Sequence, residues 1–125
     1  MRLGYVILYV ENVKETLEFY EAVFGLKIKF LHESGDFGEL ESGTTSLAFS
    51  SIQLMRTLGK NPSQPVPTAP SHEIAFVTAD VAATLDKAIA LGGTLVQLSE
   101  KMSWGQTTAY FTDQNGFLVE ICTEV

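Results

Sequence analysis

Asn12-Val13-Lys14-Glu15-Thr16-Leu17 opens a stretch that closes at Ala22-Val23-Phe24-Gly25, and Asp80-Val81-Ala82-Ala83-Thr84-Leu85 opens one that closes at Ala90-Leu91-Gly92-Gly93. A shift of 68 positions lays the second on the first without a gap, matching Val13 with Val81, Thr16 with Thr84, Leu17 with Leu85, Ala22 with Ala90 and Gly25 with Gly93. Self-similarity at a fixed offset marks one structural unit used twice. Each copy reads as a helix. Asn12 and Asp80 are N-cap residues, and Glu15 stands three positions on, where a capping-box partner belongs. Val13, Thr16, Leu17, Tyr20, Val23 and Phe24 recur at helical spacing, as do Val81, Thr84, Leu85, Ala88 and Leu91 in the second copy. Each set makes one buried stripe, with Glu11, Glu15, Glu18 and Glu21 pointing elsewhere. Gly25 and the Gly92-Gly93 pair end the helices, as glycine does at a C-terminus.

The segments around these helices read as strands. Leu3 to Val10 is a short run rich in β-branched and aromatic residues, and Leu26 to His32, Phe37 to Glu41 and Thr44 to Ser50 follow the first helix. Gly35-Asp36 and Ser42-Gly43 supply the turns between them. In the second copy the strands are Glu73 to Thr78, Thr94 to Leu98, Thr107 to Thr112 and Phe117 to Cys122, with Asn115-Gly116 as a tight-turn pair. Near the end of each copy the offset grows to 72, which sets Phe49 opposite Ile121. The order β-α-β-β-β therefore occurs twice. All four prolines fall between the copies, so residues 53–71 read as a linker, extended in its second half, with Gln53 to Leu58 forming one helical turn. The division is 1–52 for the first module, 53–71 for the linker and 72–125 for the second module, within one structural domain of α+β class. One such unit has a helix on one sheet face only. Its open face and edges need cover from the second repeat or from another subunit, so a homodimer is expected.

Composition narrows the function. Hydrophobic residues make up 46% and charged residues 18%, which supports a packed globule rather than a disordered chain. A net charge of -7 with no basic cluster repels nucleic-acid phosphate and favours cationic or neutral small ligands. Cys122 is the only cysteine, so there is no intrachain disulfide and no zinc-finger spacing. The apolar stretch ending at Val10 is too short to span a membrane, and no signal-peptide cleavage pattern follows it. A cytoplasmic location, with no membrane partner, is the expectation.

Two segments resemble the glyoxalase / bleomycin-resistance / dioxygenase family, the vicinal-oxygen-chelate superfamily. One runs from Tyr9-Val10-Glu11-Asn12-Val13 through Phe19-Tyr20 to Phe24-Gly25-Leu26, like the family's first strand and the helix that follows it. The other, Tyr110-Phe111-Thr112-Asp113-Gln114-Asn115-Gly116-Phe117-Leu118-Val119-Glu120-Ile121, resembles its closing hairpin, where an aspartate-x-x-glycine turn leads into a glutamate-bearing last strand. The resemblance implies two βαβββ modules forming a curved mixed sheet around a cup. In metal-dependent members four cup-facing positions carry His, Glu or Gln ligands. Here those positions are Tyr5, Ala48, Glu73 and Glu120, and the repeat offsets agree, since Tyr5 maps to Glu73 and Ala48 to Glu120.

This sequence departs from the metal-dependent pattern. Ala48 has no donor atom, and a tyrosine is a poor ligand unless it ionises, with a reference pKa near 10. Glu73 and Glu120 with waters are a weak Mg²⁺ site rather than a dedicated transition-metal site. His72 joins them only if the register slips by one, because neighbours in a strand face opposite ways. No cofactor is therefore expected, with a divalent metal as the alternative. Strand alternation places Tyr5, Ile7 and Tyr9 on the cup face, with Ala48 and Ser50 from the fourth strand, Glu73 from the fifth, and Leu118 and Glu120 from the last. That is a mostly apolar and aromatic wall with two anionic points, as small-molecule pockets are built. Trp104, in a loop-like segment, is a candidate lid over it, against the plainer reading of a core or interface filler. Packing alone is the competing account of the tyrosines, and a hydrogen-bonded structural role that of the glutamates. Cys122 reads as a small buried hydrophobe, since no base is available to activate it.

Two functions remain open. One is a small-molecule-binding protein, similar to the family's metal-free drug-resistance members, that sequesters a cationic or aromatic compound such as an antibiotic. The other is an enzyme: a glyoxalase-like metal-dependent lyase or isomerase, or a metal-free catalyst with Glu73 and Glu120 as acid and base. A ring-cleaving dioxygenase is disfavoured, because its two-His-one-carboxylate triad is absent.

Overall fold

A computed structural model describes all residues from Met1 to Val125. The chain divides into two compact units, Met1–Gln64 and Pro65–Val125. The first contains β1 (Tyr5–Val10), α1 (Val13–Phe24), β2 (Ile28–Leu31), β3 (Phe37–Leu40), β4 (Ser46–Ser51) and α2 (Ile52–Thr57). The second contains β5 (Glu73–Val77), α3 (Val81–Ala90), β6 (Thr94–Lys101), β7 (Thr107–Thr112) and β8 (Leu118–Cys122). The expected α+β class and the two βαβββ modules are what the chain forms. Each module is one open four-stranded sheet, ordered β1-β4-β3-β2 and β5-β8-β7-β6.

The repeat holds down to register. β1 runs parallel to β4, with Tyr5 beside Ser46 and Ile7 beside Ala48. β5 runs parallel to β8, with Glu73 beside Leu118 and Ala75 beside Glu120. These are the same pairs under the two offsets read from the sequence. The β3–β4 and β7–β8 ladders are antiparallel and also correspond, Glu39 facing Ala48 as Tyr110 faces Glu120.

The long helices α1 and α3 each cover one face of their own sheet. Asn12 caps α1 by accepting from the Glu15 amide at 3.0 Å, and Asp80 caps α3 by accepting from Ala83 at 3.1 Å. Gly25 ends α1 in the left-handed region, at φ 70°, with its amide on the Glu21 carbonyl. The buried stripe of α1 is Val13, Thr16, Leu17, Phe19, Tyr20 and Val23. Phe24, expected in that stripe, is half-buried and stacks on Tyr20 instead. In α3, Leu91 lies one residue past the helix and is exposed, so its expected place inside is not taken.

Several boundaries move. The turn expected after residue 52 is a six-residue helix that starts at Ile52, capped by the Ser51 hydroxyl. The second half of the linker is not simply extended, since Val66–Ala69 closes a turn through a 2.9 Å backbone bond. β6 runs on to Lys101, beyond the expected Leu98, and its irregularities at Gln97 hide the alternation. β2 stops at Leu31, so His32 is not a strand residue; its ring nitrogen accepts from the Ser34 amide in the following turn. The β7–β8 turn is not built from two left-handed residues. Only Gly116 has positive φ, and buried Asp113 holds the turn by accepting from the Asn115 and Phe117 amides, each at 2.9 Å.

Candidate functional site

In the second unit, the sheet face away from α3 carries the chemistry. A Cβ on Gly93 would meet the Phe111 ring at 2.9 Å, so Phe111 faces α3, and alternation turns Tyr110 the other way. Ala75, Glu120, Tyr110 and Gln97 then form one row across all four strands. Glu73 stands one row over, beside Leu118, diagonal to Glu120.

The Tyr110 hydroxyl donates to Glu120 Oε2 at 3.0 Å. Glu73 shares this arrangement. Partial desolvation raises its pKa above the ordinary carboxylate value, the Glu120 charge raises it further, and a hydrogen bond from Tyr110 pulls it back. The Tyr110 phenol is driven well above its usual range, first by burial and then by its bond to Glu120 and the charges of both glutamates. It is therefore a fixed neutral donor at any physiological pH. Burial and the Glu120 charge likewise raise the Cys122 thiol, which keeps it protonated and inert as a nucleophile. The unit thus presents Glu120 held by the Tyr110 phenol, with Glu73 one row away beside Leu118. Chemically, this can accept hydrogen bonds from a cationic or N–H-bearing group, or move a proton at Glu73.

Beside Glu73, Glu120 and Leu118, the other expected residues are placed as follows. Tyr5 and Ile7 are exposed on the first unit's sheet face turned away from α1, 54% and 43% accessible, and Tyr9 is half-buried there. Ala48 and Ser50 are buried on β4. His72 precedes β5 and packs its ring on Phe117 at 5.8 Å, so the register slip that would align it with Glu73 does not occur. Trp104 does not pack into the core. It sits 62% exposed in the β6–β7 turn, its indole nitrogen donating to Gln106 at 2.8 Å, beyond the Val77–Cys122–Thr108 row.

Tyr110 was not among the expected site residues. Its signal was the hairpin: counting back from the Asp113–Gly116 turn sets it opposite Glu120. As for metal, no three His, Cys, Asp or Glu side chains converge anywhere. On this face the donors are two carboxylates and a phenol, and in the first unit Ala48 has none. The residues present do not match a four-ligand transition-metal set.

The fold is a pair of βαβββ modules, and the comparisons with known proteins agree. The family model for the Glyoxalase/Bleomycin resistance protein/Dioxygenase superfamily matches residues 2–121, so the chain belongs to that superfamily. No curated protein matches it in sequence. Among solved structures it resembles a glyoxalase-related enzyme from Fulvimarina pelagi, with a TM-score of 0.84 at 20% identity over 99% of this chain and 88% of that one. It is also similar to a protein of unknown function from Agrobacterium tumefaciens, with a TM-score of 0.78 at 28% identity over 100% and 95% of the two chains. TioX from Micromonospora sp. ML1 gives 0.73 at 17% identity over the whole of both chains.

Proposed function

We propose that this protein binds a small cationic or aromatic molecule, such as an antibiotic, on the carboxylate-bearing sheet face of its second unit, without a transition metal. The Glu73–Tyr110–Glu120 cluster carries this reading. It concentrates negative charge beside apolar side chains and fixes Glu120 through the phenol, so a ligand cation meets an oriented acceptor. Family membership supports the binding class, since the superfamily's name includes bleomycin resistance. The incomplete donor set supports metal independence.

Isothermal titration with bleomycin and with benzyltrimethylammonium tests the reading. At least one should bind saturably. Glu120→Gln should leave the fold intact and weaken that binding by about 1.5–3 kcal/mol, roughly 10- to 150-fold. Equal affinity in the Gln variant, or no saturable binding of either probe, refutes it. The raised pKa of Glu73 favours one second reading, a metal-free enzyme with Glu73 as the proton-transferring group. The metal-dependent lyase reading returns only if elemental analysis of purified protein finds about one transition metal per chain, lost on Glu120→Ala.

A further inference from the structure

The first unit holds a largely buried carboxylate whose Oε1 accepts no hydrogen bond and has Lys29, 4.0 Å away, as its ion-pair partner. Glu39 lies on β3, opposite Ala48, in the position that Tyr110 holds opposite Glu120 in the second unit. Its neighbour Gly38 faces α1, because a Cβ there would meet Leu17 Cδ1 at 2.5 Å. Glu39 therefore projects from the face turned away from α1, in a row with Phe30, Ala48 and Ile7. In the second unit this position pairs a donor with an acceptor. In the first, a carboxylate faces the methyl of Ala48. Glu39 Oε1 is out of solvent contact and has no hydrogen-bond partner. Lys29 Nζ stands 4.0 Å away, too far for a hydrogen bond, on a side chain that is 55% exposed. An unsatisfied buried carboxylate oxygen is costly, and native structures keep such groups for a reason. The Glu39 side chain retains 14% exposure, on atoms other than Oε1, so an outside donor meets the exposed part of the carboxylate. Phe30 and Ile7, 45% and 43% exposed, flank that part with an apolar surface.

We propose that Glu39 anchors the protonated amine of an aromatic or apolar small molecule whose body lies on Phe30 and Ile7. The amine donates to the exposed part of the carboxylate, and its charge matches that of Glu39.

Titrating 2-phenylethylammonium into ¹⁵N-labelled protein tests the proposal. The amides of Ile7, Glu39 and Ala48 should shift saturably, whereas 3-phenylpropionate, of opposite charge, should leave them unmoved. Glu39→Gln keeps the shape and should weaken the response at these amides about tenfold or more, the worth of a charge-assisted bond. Lys29→Met removes the competing cation, so it should bind the probe at least as tightly and hold its melting temperature. Unmoved amides in the parent overturn the proposal, a trapped water then serving as the donor. So does equal binding by Glu39→Gln, or a Lys29→Met variant that melts early and binds less, which would make Lys29 the partner of Glu39. Shifts confined to Glu73 and Glu120 would leave the second unit's site standing and remove this one. Shifts at Glu39 that persist in Glu120→Gln separate the two in the other direction.

Discussion

Glu73 shows how a single side chain reports on its surroundings. Its carboxyl holds its proton more tightly in the folded chain than in the unfolded one, because it is partly desolvated and sits near Glu120. A group with a raised folded pKa contributes stability that is complete below the unfolded pKa and is lost as pH rises through the folded one. Ionised Glu73 is therefore a burden near neutrality. Glu73→Gln should melt higher than the parent at pH 7 and level with it at pH 3.5. The residue is solvent-exposed, so screening keeps the gain under about 1 kcal/mol, a few degrees of melting temperature. Paired thermal melts at the two pH values check this, and a variant that gains as much at pH 3.5 as at pH 7 contradicts it. At this scale the sequence was informative where alternation and the repeat offset acted together, as for Glu73 and Glu120. Tyr110 and Glu39 escaped because their roles depend on which residue faces them across a hairpin. Nothing in Tyr110 itself distinguishes a packing ring from a donor clamped to Glu120.

The elements explain why the helices were readable and the strand ends were not. Helix limits are written in local chemistry: Asn12 and Asp80 as caps, Gly25 as the left-handed stop. Strand ends depend on the partner strand. β6 gains Ser99 to Lys101 because β7 is there to pair with them, although those residues have little strand preference of their own. Helix and sheet meet most closely at Gly38, whose missing Cβ admits Leu17 Cδ1 and approaches the Phe30 carbonyl oxygen at 3.0 Å. Backbone cannot move aside as a side-chain tip can, and Leu17 is fully buried. Gly38→Ala should therefore overpack the α1–β3 contact and cost about 1–3 kcal/mol. Chemical denaturation should show a lower midpoint with an unchanged slope. A midpoint within error of the parent would mean that α1 is less firmly seated than this contact implies.

For the whole molecule, the repeat is what made the fold legible from one sequence, and it also leaves surface to be covered. Two open sheets have edges, and an edge strand offers unpaired backbone groups to any neighbour. The outer strand of the second sheet, β6, is eight residues long and exposes Leu95, Val96 and Leu98 at 45%, 56% and 67%. A chain with a net charge of -7 resists indiscriminate association, so such a stretch is better matched by one defined, symmetric contact than by aggregation. We propose that the protein is a homodimer that covers this edge. Light scattering at micromolar concentration should then give about twice the 13.7 kDa chain mass. Leu98→Lys, which puts a charge on the exposed edge without touching the buried core, should shift the mass toward that of one chain while the far-ultraviolet circular dichroism stays the same. A parent that stays at one chain mass across the range rejects the dimer. A dimer untouched by Leu98→Lys rejects β6 as its interface, and attention then passes to β1, where Tyr5, Val6 and Ile7 are the other exposed apolar run on an edge strand.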